Sequence, residues 1–183
     1  MNAGRETLAA RLGVTIHVSP LRRKVDRICL ERTQGRMACT EDWLVDVANS
    51  RGARIVTRGV KIDAKAMPTS DELTNAELVV AICQVQCLDR PQMLRTAAQL
   101  ISRGDVPMEE LRITTLRERA SVILAELAHQ ALRVESDNRV WGKIAEAFPR
   151  KQPPRDSLLH WTRLAEPIPV RGVSDGKRWK LVA

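Results

Sequence analysis

The chain has 183 residues, 44% of them hydrophobic and 28% charged, which places it among globular and not disordered proteins. No apolar run approaches the length of a membrane-spanning helix, and residues 1–13 carry charges where a secretory signal is apolar. The formal net charge is +8, divided into a basic segment 1–70 (net +6), an acidic segment 71–149 (net −3) and a basic segment 150–183 (net +5).

Helices and strands alternate in the first third of the predicted structure. A short helix over Thr7–Leu12 ends at Gly13, and the strand Val14–Val18 follows with alternating apolar residues. Ser19-Pro20 is a strong helix start, and that helix runs to about Thr33. The strands Met37–Cys39 and Ala53–Thr57 flank a further helix, which begins at Thr40 and ends at Gly52. This alternation favours a small α/β unit with a parallel sheet over residues 1–62.

The middle of the chain is predicted to be an all-α helical bundle over residues 74–149, after a linker at 63–73. Thr74-Asn75-Ala76-Glu77 forms a capping box at its first helix. Apolar residues at a spacing of three and four run from Ile113 through Leu116 to Val134, which predicts a long helix with these residues inward; a break near Thr114-Thr115 is the alternative. The tail, 150–183, is basic, contains Pro and Trp, and is expected to be irregular with a short strand near Trp179 to Val182.

Residues 35–62 read GRMACTEDWLVDVANSRGARIVTRGVKI. This segment resembles the final strand–helix–strand of the PIN-like nuclease superfamily, especially NYN-type domains. Thr40-Glu41-Asp42 matches the T-x-D step after the family's apolar strand, and 52–56 matches its closing strand. Upstream, Lys24–Ile28 is similar to the acidic helix motif of the family. The resemblance covers residues 7–62, but the strand that opens such domains with an essential Asp has no counterpart in residues 1–13.

The resemblance implies a metal-dependent ribonuclease site. Asp26 and Asp42 would hold Mg²⁺ or Mn²⁺ and Thr40 would support them, so that the metal activates water against a phosphodiester. Because the first acidic strand is missing, we expect a degenerate unit without a resident cofactor, in which the two carboxylates lie near one face but too far apart to share a metal. Alternatively, Asp42 stabilises the helix dipole and Asp26 is a solvated or Arg-paired residue.

The basic ends indicate that the chain contacts a polyanion, and we expect a cytoplasmic, nucleic-acid-associated protein, with RNA favoured and no membrane as partner. The candidate nucleic-acid-binding residues are Arg22, Arg23, Arg27, Arg163, Lys177, Arg178 and Lys180. Two alternatives stay open. The bundle could bind a protein partner in a non-enzymatic regulatory protein, or Thr7–Val14 could belong to a helix-turn-helix DNA-binding regulator.

The four cysteines form no CxxC pair. Cys83 and Cys87 are one helical turn apart, a spacing that could supply half of a metal site, and burial in the core is the alternative. Cys29 and Cys39 lie in the other predicted unit, and no disulfide is expected in a cytosolic chain. The three histidines form no catalytic or metal-binding spacing.

Overall fold

The computed structural model describes residues 19–35, 39–55, 64–86, 91–150, 165–167 and 179–181, and these residues are mostly helical. The described helices are α1 (Pro20–Thr33), α2 (Thr40–Ser50), α3 (Asn75–Gln86), α4 (Pro91–Ser102), α5 (Met108–Arg117), α6 (Ser121–Leu132) and α7 (Arg139–Ala147), with a 3₁₀ turn at Ala64–Ala66. Two short strands, β1 (Ala165–Pro167) and β2 (Trp179–Leu181), pair antiparallel. None of the described helices has both the length and the apolar character that crossing a membrane requires.

The parallel-sheet α/β unit predicted over residues 1–62 is wrong for the part that the structure describes. Residues 19–35 and 39–55 contain two helices and no strand. Of the three predicted strands, Val14–Val18 lies outside the described residues, and Cys39, the described end of Met37–Cys39, is the N-cap of α2. A parallel-sheet α/β unit is also the fold that the resemblance to PIN-like nucleases implied for these residues.

Side chains of neighbouring helices explain why the described part of the third predicted strand, 53–55, does not pair. Asn49 donates from Nδ2 to the Ile55 carbonyl (2.9 Å) and accepts from the Ile55 N–H at Oδ1 (3.0 Å). The Arg54 N–H donates to Gln99 Oε1 of α4 (2.8 Å). Backbone groups that a sheet would pair are therefore satisfied by helix side chains, and the apolar run needs no neighbouring strand.

Helix α1 begins and ends where the sequence predicts. The Ser19 hydroxyl accepts from the Arg22 N–H (3.0 Å), and Pro20 occupies the first helical position, where its missing N–H costs nothing. Gln34 and Gly35 both have positive φ (52° and 72°), which terminates the helix after Thr33. The predicted apolar face is confirmed, because Leu21, Val25, Ile28 and Cys29 are all buried.

Helix α2 is held to the segment that precedes α3. Its buried Trp43 donates from Nε1 to the Ala66 carbonyl (3.1 Å). Arg51, just after α2, donates to Asn75 Oδ1 (2.9 Å) and to the carbonyl of Pro68 (3.4 Å). Residues 66–75 therefore run against α2 and join it to the start of α3.

Helix α3 lies at the centre of one contiguous hydrophobic core. The predicted capping box is confirmed at its start, since Thr74 Oγ1 accepts from the Glu77 N–H and Glu77 Oε2 accepts from the Thr74 N–H, both at 3.2 Å. Every residue from Leu78 to Cys83 is buried, and α1, α2, α4 and α5 all pack on this helix. The core continues through α6 and α7 and reaches Leu181 of β2.

The long helix predicted around Ile113 to Val134 is broken. Helix α5 ends at Arg117 and α6 begins at Ser121, with Arg119 between them at a φ of 57°. Ala120, Ile123, Leu127 and Ala131 are buried as expected. Ile113 and Leu116 are exposed, contrary to prediction, because the turn changes the direction of the chain and the helical spacing does not continue across it.

We predict that Gly52→Ala destabilises the protein by about 1–2 kcal/mol. Gly52 has a φ of 100°, and an added Cβ would lie 2.5 Å from Cζ of Arg103, whose guanidinium donates to the Gly52 carbonyl (3.2 Å). Urea denaturation measures the change. The control is Gly142→Ala in α7, where a Cβ meets nothing within 4 Å and helix propensity should add about 0.5–1 kcal/mol of stability. Equal stability of Gly52→Ala and the wild type would contradict the prediction.

Candidate functional site

Polar side chains of α1 and α2 meet in a hydrogen-bonded group, here named the α1–α2 cluster, which consists of Arg22, Asp26, Cys39, Thr40 and Glu41. Thr40 Oγ1 donates to Asp26 Oδ1, and Arg22 Nε donates to Asp26 Oδ2, both at 2.9 Å. A second guanidinium nitrogen of Arg22 donates to Glu41 Oε1 (3.1 Å). Two of the three residues predicted to be catalytic, Asp26 and Thr40, are thus in direct contact.

Local helix geometry places these groups. Arg22 and Asp26 are four residues apart and share one face of α1, a spacing at which opposite charges attract. Thr40 and Glu41 lie in the first turn of α2, where the helix dipole stabilises a carboxylate. Packing of α1 on α2 then joins the two pairs, so the ion pair from Arg22 to Glu41 bridges the helices.

Glu41 is held in its charged form. Partial burial alone would raise the pKa of Glu41, but hydrogen bonds from the Cys39 thiol, its own backbone N–H and the Arg22 guanidinium outweigh burial and keep the pKa below its ordinary value. The thiol donates from Sγ to Oε2 at 2.7 Å. Asp26 and Glu41 share the single positive charge of Arg22, so these three groups together carry a net charge of −1.

Cys29 lies beneath the cluster and is buried. Burial raises the pKa of the Cys29 thiol above its ordinary value, although hydrogen bonds with the Thr40 and Thr33 hydroxyls lower it in part. A buried, protonated thiol is a weak nucleophile. The described cysteines, Cys29, Cys39 and Cys83, are free thiols, and Cys87 lies outside the described residues.

A divalent cation does not fit the α1–α2 cluster. Both oxygens of Asp26 accept hydrogen bonds, and the guanidinium of Arg22 already occupies the position of the cation between Asp26 and Glu41. Asp42, the third predicted catalytic residue, is exposed and lies about 200° round the helix from Thr40. Among the described residues, no three His, Cys, Asp or Glu side chains form a group that could hold a metal ion.

The predicted nucleic-acid-binding residues differ in their surroundings in the structure. Arg23 and Arg27 are exposed on the outer face of α1, whereas Arg22 is engaged in the cluster. Lys180 lies in β2, in register with Glu166 of β1. The remaining predicted residues, Arg163, Lys177 and Arg178, lie outside the described residues.

Sequence reasoning missed a second polar contact that holds α1. Lys24 Nζ donates to both carboxylate oxygens of Glu77 (2.8 and 2.6 Å), and Arg117 of α5 approaches the same carboxylate (3.9 Å). Glu77 thus serves both the cap of α3 and two cations from other helices. The sequence signal at Glu77 indicates only the cap, because its cationic partners come from residues 40 to 53 positions away.

Comparisons with known proteins add no constraint to this site. No protein-family model matches the sequence, and no match is found among curated proteins or solved structures.

We predict that Glu41→Gln lowers the free energy of unfolding at pH 7 by up to about 1 kcal/mol. The folded pKa of Glu41 lies below the ordinary 4.5, so its contribution is present above that pH and is lost as the pH falls through the folded pKa. Urea denaturation at pH 7 and pH 3 should show a difference from the wild type that shrinks in acid. The exposed Glu146→Gln in α7 is the control, with little change at either pH. A difference that grows in acid would refute this role of Glu41.

We also predict that iodoacetamide alkylates Cys39 well before Cys29 or Cys83. Cys39 is partly exposed, whereas the other two are buried and require local opening of the core. Peptide mass spectrometry after timed quenching locates the label. Cys29 alkylated as fast as Cys39 in the folded protein would contradict the packing of α1 on α2.

Proposed function

We propose that the protein binds nucleic acid, with RNA as the favoured ligand, through the outer face of α1. The observation that carries the proposal is the pair of exposed arginines Arg23 and Arg27, which we name the α1 basic face. They are four residues apart on one helix, so they rise about 6 Å along its axis and point the same way. Arginine suits phosphate because its planar fork donates two hydrogen bonds together.

Helix stability does not account for the charges of α1. Its first turn contains no acidic residue, and Arg22, Arg23 and Lys24 stand at the end where the helix dipole is positive. Cations are unfavourable there, and the usual occupants are Asp and Glu. Arg22 and Lys24 gain ion pairs at these positions, but Arg23 breaks the local rule without such a gain among the described residues, which supports a functional role for Arg23.

Two of these three cations are compensated and one is left for a ligand. Arg22 is paired with Asp26 and Glu41, and Lys24 is paired with Glu77. Arg23 makes no ion pair with the part of the chain that the structure describes, and Arg27 reaches Glu31 only at 4.0 Å. Within α1, the uncompensated positive charge therefore lies at Arg23 and Arg27, on the side of the helix that faces away from the core.

The proposal assigns no catalytic step. The carboxylates of the α1–α2 cluster are engaged with Arg22 and Thr40, and their role is to fix α1 against α2. The cytoplasm is the compartment that we propose, since the described cysteines are free thiols, which suit a reducing environment. The basic tail extends the same interaction in this proposal, through Arg163, Lys177, Arg178 and Lys180.

The test compares the double variant Arg23→Ala/Arg27→Ala with the wild type in binding to labelled single-stranded RNA across a salt series. We expect at least about a tenfold loss of affinity at low salt and a shallower dependence of log K on log salt, by about 1.4 for two lost contacts to a single strand. The matched control is Arg133→Ala/Arg139→Ala, which removes two exposed arginines away from α1, one just after α6 and one at the start of α7.

Two results would overturn the proposal. The first is wild-type protein that binds neither RNA nor DNA at low salt. The second is a double variant with the affinity and salt dependence of the wild type while the Arg133/Arg139 control is weakened, which would move the contact to another surface. If the protein binds duplex DNA more tightly than RNA, the α1 basic face remains the proposed binding surface, but DNA becomes the proposed ligand.

A further inference from the structure

Large apolar side chains are exposed where α5 meets α6. The exposed fractions are 52% for Ile113, 53% for Leu116 and 47% for Val122. Ile113 and Leu116 are three residues apart on one face of α5, and Val122 is the second residue of α6, just after the turn. We name these three residues the elbow patch. It is separate from the α1 basic face and has no part in the proposed binding of nucleic acid.

Folding alone does not explain the elbow patch. Helix α5 buries Thr114 and Thr115 together with Leu111, yet exposes Ile113 and Leu116, which departs from the usual pattern of an amphipathic helix. The hydroxyl of Thr115 is buried without a hydrogen-bond partner, an arrangement that costs free energy. The protein thus keeps apolar surface in water and a polar atom in its core, a combination that marks an interaction surface.

Between Met108 and Val122, three arginines but only one carboxylate, that of Glu109, are exposed. Arg112, Arg117 and Arg119 are all exposed and flank the apolar residues along the chain. Arg112 pairs with Glu109 and Arg117 with the buried Glu118, but Arg119 makes no ion pair with the described part of the chain. An apolar centre with an arginine rim is complementary to a ligand that is apolar in the middle and acidic at its edges.

We infer that the elbow patch is the docking surface for an acidic amphipathic helix of a partner protein. Apolar residues three and four apart on such a helix would pack against Ile113, Leu116 and Val122, and flanking carboxylates would meet the arginine rim. A second copy of this chain fits less well, because it would bring the same arginine-rich surface, and not an acidic one, to the contact. Nucleic acid fits less well too, since phosphates gain nothing from the apolar centre.

Fluorescence anisotropy with a designed peptide tests this inference. The probe is a fluorescein-labelled helix of about 18 residues, five turns, with Leu at every third or fourth position and Glu on the flanks. A matched peptide carries Lys in place of every Glu. We expect saturable binding of the acidic peptide, at least about tenfold tighter than that of the basic one, because the rim attracts carboxylates and repels ammonium groups.

The double variant Ile113→Glu/Leu116→Glu should weaken binding of the acidic peptide at least about tenfold, since it removes the apolar centre and repels the carboxylates. Leu30→Glu is the matched control, because Leu30 is 64% exposed on α1, outside the patch, and its replacement should leave binding unchanged. Arg119→Glu provides a second variant that leaves the apolar residues in place and should narrow the preference for the acidic peptide. Circular dichroism establishes that each variant is folded.

The inference is overturned if the wild type does not bind the acidic peptide, if it binds both peptides equally, or if neither patch variant changes the binding. It is also overturned if sedimentation shows a wild-type dimer that the double variant dissociates, since the occupant would then be a second copy. RNA binding lost in the double variant but not in Arg23→Ala/Arg27→Ala would assign the patch to nucleic acid. If the α1 basic face proves not to bind nucleic acid, by contrast, the binding of the acidic peptide to the elbow patch is unaffected.

Discussion

Helix α3 is stable in water only when other helices cover it on every side. Six consecutive residues, Leu78 to Cys83, are apolar and buried, so this part of the helix has no polar face to turn towards solvent. Burial of one large aliphatic side chain is worth about 1.5–3 kcal/mol, and this gain is available only after α1, α2, α4 and α5 have packed around α3. The positions of the N-terminal helices, and with them every candidate site residue on α1 and α2, follow from this requirement.

Polar contacts set the direction in which α1 crosses this apolar helix. The Ser19 hydroxyl donates to Gln84 near the end of α3, Lys24 pairs with Glu77 near its start, and Arg32 pairs with Glu72 just before it. Read along both segments, these contacts run in opposite order, so α1 and α3 are antiparallel. Hydrophobic burial is non-directional, and the three polar contacts select one orientation from those that would bury the same area.

The sequence predicts what is encoded locally. The Ser19-Pro20 start of α1 and the capping box at Thr74 and Glu77 each depend on a few adjacent residues, and the structure confirms both. The strand predicted over Ala53–Thr57 is wrong in its described part, 53–55. So short a segment suits a strand and a helix-packed segment equally well, and its hydrogen-bond partners Asn49 and Gln99 are set by tertiary packing.

The candidate site shows the same limit in another form. The sequence predicts that Asp26 and Asp42 lie near one face of a parallel sheet, whereas in the structure Asp26 contacts Thr40 through the packing of two helices. The sequence does not predict the exposure of Ile113 and Leu116, because the spacing of apolar residues does not indicate the turn at 118–120. The spacing of apolar residues shows which residues share one side of a helix. Which side of the helix faces the core depends on where that helix ends and the next one begins.

The location of the two proposed surfaces follows from the way each helix meets the core. Leu21, Val25 and Ile28 fix one side of α1 on the core, so Arg23 and Arg27 must face outward. The pairs made by Arg22 and Lys24 hold the helix in that orientation, so a ligand would meet arginines whose backbone is already ordered. On α5 the buried Leu111 has the corresponding effect, and its side of the helix, shared with Thr114 and Thr115, faces the core while Ile113 and Leu116 face solvent. Each surface is therefore preorganised by groups that do not themselves contact the ligand. Because the helix that carries the surface is already ordered, binding does not have to offset the entropy loss of ordering it.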